Sequence, residues 1–196
     1  MTPRERRLRE QAERRRLILT TARELAEAEG WDAVTTRRLA DHIEYSQPVL
    51  YQHFKNKDAI VHAVALDGFG ELAAGLREAR LAGEGPEEAL RRAARAYLDF
   101  AAANPMLYQA MFTLSVGLEF AQEETPQEMI DAFAEIMSAV RPLVGDGDAE
   151  LQTEVLWCAC HGLASLTWGE RLRPGLADER LAALVDSFVA RSVPHV

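Results

Sequence analysis

Residues 35–60 read TTRRLADHIEYSQPVLYQHFKNKDAI, and this stretch decides the fold. Thr35 can cap a short helix that buries Leu39, Ala40 and Ile43, because its hydroxyl accepts one of the N–H groups that a helix start leaves unpaired. Ser46 can cap a second helix, with Pro48 tolerated in its first turn, where the missing N–H has no intrahelical partner anyway. Leu50 and Phe54 are core positions of that helix, and Asn56 can cap a longer one carrying Ile60, Val61 and Val64. Two short helices joined by a tight turn make a helix-turn-helix, whose second helix presents its N-terminal side chains to base edges. Gln47, Pro48 and Val49 stand at that N-terminus, and Tyr51, His53 and Lys57 follow where they can reach flanking phosphates.

The pattern outside this stretch is helical too. Alternating β-branched runs are absent, and Ala, Leu, Glu and Arg dominate. Leu17, Ile18, Thr21, Ala22, Leu25 and Ala26 form one apolar stripe before the motif, ended by Gly30. After it, the breaks at 83–86 and at Asn104-Pro105 separate a helix carrying Leu90, Ala94, Tyr97 and Leu98 from one over residues 106–114. Thr125-Pro126-Gln127-Glu128 has the form of a capping box with Pro at the first helical position. A Gly- and Asp-rich turn at 145–148 precedes a helix over residues 149–168, and Asp178 is placed to cap a final one. The expected fold is all-α with about nine helices, a helix-turn-helix unit over residues 1–60 and a helical body over 61–196.

Net charge is −9, which argues at first against a polyanion as partner. Divided at residue 60, however, the chain carries 12 Lys or Arg against 10 Asp or Glu in the first part and 10 against 21 in the second. The first 16 residues alone hold 7 Arg and 3 Glu. A basic head on an acidic body fits a nucleic-acid contact with limited non-specific adhesion, while arginines paired along a solvated helix would give the same count. Cys158 and Cys160 are two apart, which on a helix points them away from each other, so a mutual disulfide is not expected and free thiols suit a reducing cytoplasm. No run of about 18 apolar residues suggests a membrane span, and the Arg- and Glu-rich start has no secretory form. Neither a metal-ligand cluster, a phosphate-binding loop nor a nucleophile–base pair is present in the pattern, so no cofactor and no catalytic residue is expected.

Thr35, Thr36, Arg37, Leu39 and Ala40, followed by Leu50, Tyr51, His53, Phe54, Asn56 and Lys57, closely resemble the helix-turn-helix of the TetR family of transcriptional regulators. The resemblance runs over about 45 residues and fades beyond residue 70. It implies contacts to the DNA backbone from Thr36, Tyr51, His53 and Lys57. It further implies base contacts from Arg37 and Gln47, with Pro48 and Val49 against thymine methyls; Ser46 completes the expected DNA-binding set. One departure stands out: the turn position often held by Gly is Glu44, which would have to adopt a left-handed backbone at some cost or alter the turn.

Such a head needs a twofold partner and a palindromic operator. The expected dimer surface is Leu151, Val155, Ala159, Gly162, Leu163 and Leu166 on one helix, with Leu181, Leu184, Val185 and Phe188 on the next. Trp157, His161 and Gly162 spell W-x-x-x-H-G, which resembles the C-terminal domain named for a Trp-His-Gly motif within the family. An effector pocket could draw on Tyr97, Phe100, Tyr108, Met111, Phe112, Phe133, Met137, Trp157, His161 and Trp168, although aromatics at helical spacing also serve as plain core. The function expected is a cytoplasmic, dimeric repressor released from double-stranded operator DNA by a small apolar or aromatic molecule. An activator or a ligand-independent regulator is the alternative, and a helical binding protein or enzyme is the more distant one.

Overall fold

A computed structural model describes residues 2–114, 117–145 and 147–192, the last three by backbone alone. Asp146, in the turn expected at 145–148, lies outside the described residues. Among those described there are nine α-helices, one short 3-10 turn and no strand, as the periodicity predicts. They fall into two compact units, one of residues 1–68 and 104–122, the other of residues 69–103 and 123–196.

The first unit is built on α1 (Pro3–Glu29). Only its second half is buried, through Ile18, Leu19, Ala22, Leu25 and Ala26; Leu17, expected in that stripe, is exposed. Gly30 ends the helix at a φ of 81°, which a side chain would resist, and its N–H closes on the Ala26 carbonyl. The Trp31–Ala33 turn follows, with Trp31 buried and its indole Nε1 donating to the Met106 carbonyl at 2.7 Å. Next come α2 (Thr36–His42), α3 (Gln47–His53) and the start of α4 (Lys57–Leu81). Thr35 caps α2 through the Arg38 N–H (3.2 Å) and Asn56 caps α4 through that of Ala59 (2.9 Å), both as predicted. Ser46 occupies the cap position of α3 without a side-chain hydrogen bond there.

α6 (Pro105–Phe112) returns to this unit, and its N-terminus is held by α1. Glu27 accepts the N–H groups of Leu107 (2.9 Å) and Met106 (3.2 Å), and Arg23 donates to Asn104 at 2.8 Å. A carboxylate placed on two orphan N–H groups at a helix start meets both the hydrogen-bonding and the dipole requirement.

The second unit packs α5 (Pro86–Ala103), α7 (Gln127–Val144), α8 (Ala149–Trp168) and α9 (Ala177–Ser192) with the rest of α4. α7 begins one residue later than its capping-box pattern suggests: Pro126 keeps an extended ψ of 145° and is itself the cap residue. Asp178 lies inside the first turn of α9 rather than at its cap, and its carboxylate pairs with Arg95. Asp148 caps α8 through the Leu151 N–H at 3.0 Å. By length and composition α4 could cross a membrane, with a mean hydropathy of 1.4 in its best window, but 56% of that window is buried within the protein, as in an ordinary core helix.

The Glu27 contacts should be measurable. Glu27→Ala removes a half-buried carboxylate from two N–H groups and should cost about 1–2 kcal/mol in urea unfolding, with Glu27→Gln costing less because an acceptor remains. Equal stability of all three proteins would contradict this account of how α6 is held.

Candidate nucleic-acid interface

The helix-turn-helix is positioned by burial of the residues that its pattern assigns to the core. Leu39, Ala40, Ile43, Leu50 and Phe54 are all buried. Glu44, in the turn, has a φ of 56°, so this non-glycine residue does take the left-handed conformation. The ordinary cost of that conformation is about 1–2 kcal/mol. The turn is closed by the Tyr45 N–H on the Ala40 carbonyl at 3.0 Å.

Burial of Leu50 and Phe54 leaves the opposite face of α3 free. Ser46, Gln47 and Pro48 are exposed and Val49 half-exposed at its N-terminal end. Tyr51 is 52% exposed, which excludes a plain core role, and its hydroxyl lies 3.5 Å from that of Thr36 on α2. The two adjacent arginines of α2 part ways: Arg38 is pinned to Glu29 by hydrogen bonds of 2.7 and 2.9 Å, whereas Arg37 is exposed and makes no ion pair among the described residues. Lys57 is half-buried, with its ammonium donating to the Trp31 carbonyl. An ammonium has three donors, so this bond fixes the head group while leaving N–H groups for a phosphate.

His53 is half-buried at the end of α3, next to Phe54, whose ring lies under the Arg15 guanidinium at 4.5 Å. Burial, and then the positive charges of Arg14 and Arg15, hold the His53 imidazole below its ordinary value. These two arginines belong to α1, and nothing in residues 35–60 signals them; the Arg count of the first 16 residues is the only hint.

The residues expected to form an effector pocket are divided between the two units. Tyr108, Met111 and Phe112 lie on α6 in the first unit, where the rings of Tyr108 and Phe112 stand 4.7 Å apart. Tyr97 and Trp157 lie in the second unit, with the indole Nε1 donating to the Tyr97 hydroxyl at 3.1 Å. Both line a narrow apolar cavity with Leu76, Ala93, Ala94, Ile136, Ala139, Leu156 and Cys160. Phe133 meets Trp157 edge-on at 6.3 Å. Phe100 is half-buried on α5, Met137 accepts a weak hydrogen bond from Arg141, and Trp168 is exposed at the end of α8. His161 is half-buried, and burial lowers its pKa.

Cys160, a cavity wall missed by sequence reasoning, has its thiol pushed up to about 12 by burial, while Cys158 is exposed, and both are free. Beside the cavity, Glu135 of α7 accepts from Arg77 (2.7 Å) and Arg80 (2.8 Å) of α4. Burial alone would raise the Glu135 pKa, but these two hydrogen bonds outweigh it and the carboxylate stays below its usual range.

Of the expected dimer residues, Leu151, Val155 and Leu166 are exposed along α8, and Ala159, Gly162 and Leu163 are half-buried between them. A Cβ added at Gly162 would meet nothing within 4 Å. Leu181, Val185 and Phe188 are buried in the chain's own second unit instead, leaving Leu184 as the half-exposed member of that stripe.

A short helix held by its core face, with polar side chains exposed at its N-terminus, and a preceding helix that carries an exposed arginine, together form a helix-turn-helix. A family profile described as "Bacterial regulatory proteins, tetR family" matches residues 18–64, and one described as "Tetracyclin repressor-like, C-terminal domain" matches residues 90–191. The chain belongs to the TetR family of bacterial regulatory proteins. It is 47% identical to the class C tetracycline repressor protein of Escherichia coli over 51 residues, 26% of this chain and 23% of that protein. It is 33% identical to the transcriptional activator FasR of Mycolicibacterium smegmatis over 100 residues, 51% of this chain and 46% of that one. The chain thus spans about a quarter to a half of the length of these curated relatives. A solved structure of a protein of unknown function from Rhodococcus sp. RHA1 superposes with a TM-score of 0.76 at 28% identity, covering 90% of this chain and 94% of that one. The regulator PfmR of Thermus thermophilus, at 21% identity and a TM-score of 0.61 over 91% and 99% of the two chains, shares the fold.

The depressed His53 pKa has a signed consequence. The unfolded chain takes up this proton before the folded one, so the contribution of His53 to stability is full above the unfolded value of about 6.5 and shrinks as pH falls below it. His53→Asn should therefore flatten the fall in thermal midpoint between about pH 7.5 and pH 5.5. An identical pH dependence in the two proteins would contradict the shift.

Proposed function

We propose that the protein is a homodimeric repressor that reads a palindromic operator through the N-terminus of α3 and leaves it when a small apolar or aromatic molecule enters the helical body. The observation that carries the reading is that Gln47 and Pro48, and Arg37 on the preceding helix, are exposed while Leu50 and Phe54 are buried. Gln and Arg can each pair with a base edge through two hydrogen bonds, and Pro48 and Val49 offer apolar contact for thymine methyls. Thr36, Ser46, Tyr51, His53 and Lys57 surround them as phosphate contacts, which fix register without reading sequence. Residues 1–60 serve as the reading head and residues 61–196 as the dimerisation and effector body.

A second copy of the chain would bury the α8 stripe from Leu151 through Val155, Ala159, Gly162, Leu163 and Leu166, with Leu184 beside it. The open space over Gly162 suits the close approach of a helix there. An effector prising open the cavity beside Tyr97 and Trp157 would press on Leu76, a residue of α4. Glu135 ties α7 to Arg77 and Arg80 of the same helix, and α4 carries residues of both units. That helix is the lever: a coupling of about 1–3 kcal/mol would cut operator affinity some 5–150-fold. The cytoplasm, where the DNA lies and thiols stay reduced, is the matching compartment.

The likeness to FasR, named as an activator, supports activation as the second reading; a reporter fused to the bound promoter separates the two by the direction of its response. DNA reading itself is tested by operator titration. Gln47→Ala and Arg37→Ala should each lose roughly 1–3 kcal/mol of discrimination at particular base pairs. Lys57→Ala should weaken binding to all sequences alike and lower the salt slope by about one per head. Binding indifferent to all three changes and to salt would overturn the proposal.

A further inference from the structure

The family profile begins at residue 18, yet α1 begins at Pro3. Every residue from 2 to 17 is exposed, so some four turns of helix project from the first unit with little to sustain them beyond Arg15 over the Phe54 ring. Such a helix has to be explained by its surface. At about 3.6 residues per turn, Arg4, Arg7, Gln11, Arg14 and Arg15 fall within an arc of roughly 100°. Ile18, Ala22 and Leu25, which bury α1 in the core, occupy the same arc, so the basic face continues the packing face beyond the edge of the unit. The glutamates of the segment lie outside it: Glu5 closes the capping box, Glu13 pairs with Arg9 at 2.9 Å, and Glu10 lies 3.7 Å from Arg6 and 4.0 Å from Arg14. Arg4, Arg7 and Arg15 make no ion pair among the described residues. The face also has a fixed place. Arg15 covers Phe54, and the charges of Arg14 and Arg15 are felt by His53, so the extension leaves the unit beside the C-terminal end of α3.

We propose that this arginine face of α1 is a second DNA-binding surface, which grips the phosphates of the duplex flanking each half-site. From Arg15 back to Arg4 the helix spans about 16 Å, a distance over which duplex DNA carries on the order of ten phosphate charges. An arginine row on a helix, with Glu10 beside Arg14 at its edge and the other glutamates farther round, matches that charge without reading bases. The proposal rests on α3 being the recognition helix, since Arg14 and Arg15 locate the face by their contact with its end.

The test uses the full chain and duplexes selected by the wild type from a random-sequence pool, rebuilt with flanks of about 3 or about 15 base pairs. Arg4→Gln/Arg7→Gln/Arg14→Gln alters the face, and Arg6→Gln/Arg9→Gln/Arg16→Gln removes the same charge from the other side; Gln preserves helix propensity. On long flanks the first variant should lose about 2.7 of the log affinity–log salt slope per head, so raising salt from about 50 to 200 mM costs it roughly 40-fold less per head than the wild type. The second variant should keep the wild-type slope, base preferences should be unchanged in both, and the difference should vanish on short flanks. Equal slopes in the two variants overturn the proposal. So does an unchanged DNA slope accompanied by lost binding to phosphatidylglycerol vesicles, which would assign the face to lipid. A wild type that enriches no sequence from the pool removes the recognition-helix reading as well, whereas enrichment with unaltered slopes removes this inference alone.

Discussion

A helix of seven residues has almost no stability of its own in water, since too few hydrogen bonds repay the cost of its nucleus. α3 is such a helix, so its usefulness depends on burial of Leu50 within it and Phe54 at its end. That burial fixes which face looks outward and commits Gln47, Pro48 and Val49 to solvent. The remaining contacts of the unit brace the same arrangement. Lys57 holds the Trp31 carbonyl, Trp31 holds α6, and Glu27 caps it. The strained φ at Glu44 is the cost of turning tightly enough to seat α3 against α2.

Local signals in the sequence announce this head well. Capping residues, the core pattern and the turn all act over three or four positions, so Thr35, Asn56 and the Leu39–Leu50–Phe54 set could be read directly. Less legible were features joining distant segments. Glu27 meets the N-terminus of α6 across 80 positions, and Arg15 meets Phe54 across a turn and two helices. No periodicity encodes such pairs. The body was legible as helices but not as a site. Aromatic residues at helical spacing look alike whether they line a cavity, as Tyr97 and Trp157 do, or stand in solvent, as Trp168 does. The second dimer stripe suffered from the same ambiguity, and Leu181, Val185 and Phe188 turned out to serve their own core.

Charge is arranged to match this division of labour. The second part of the chain carries most of the excess acid and limits indiscriminate attraction to polyanions. The arginines are concentrated at the start, where the exposed part of α1 adjoins the C-terminal end of α3. Within the body, the one buried carboxylate among the described residues, Glu135, has two arginines to satisfy it, and both stand on α4.

The central claim is that the N-terminus of α3 reads base sequence, and selection from a random duplex pool tests it most directly. Wild type and a Gln47→Lys variant would each be taken through the same rounds. The account predicts a palindromic motif for the wild type and, for the variant, the same half-site spacing with a changed base at one symmetric position. The same motif from both proteins, or no motif from either, would contradict it.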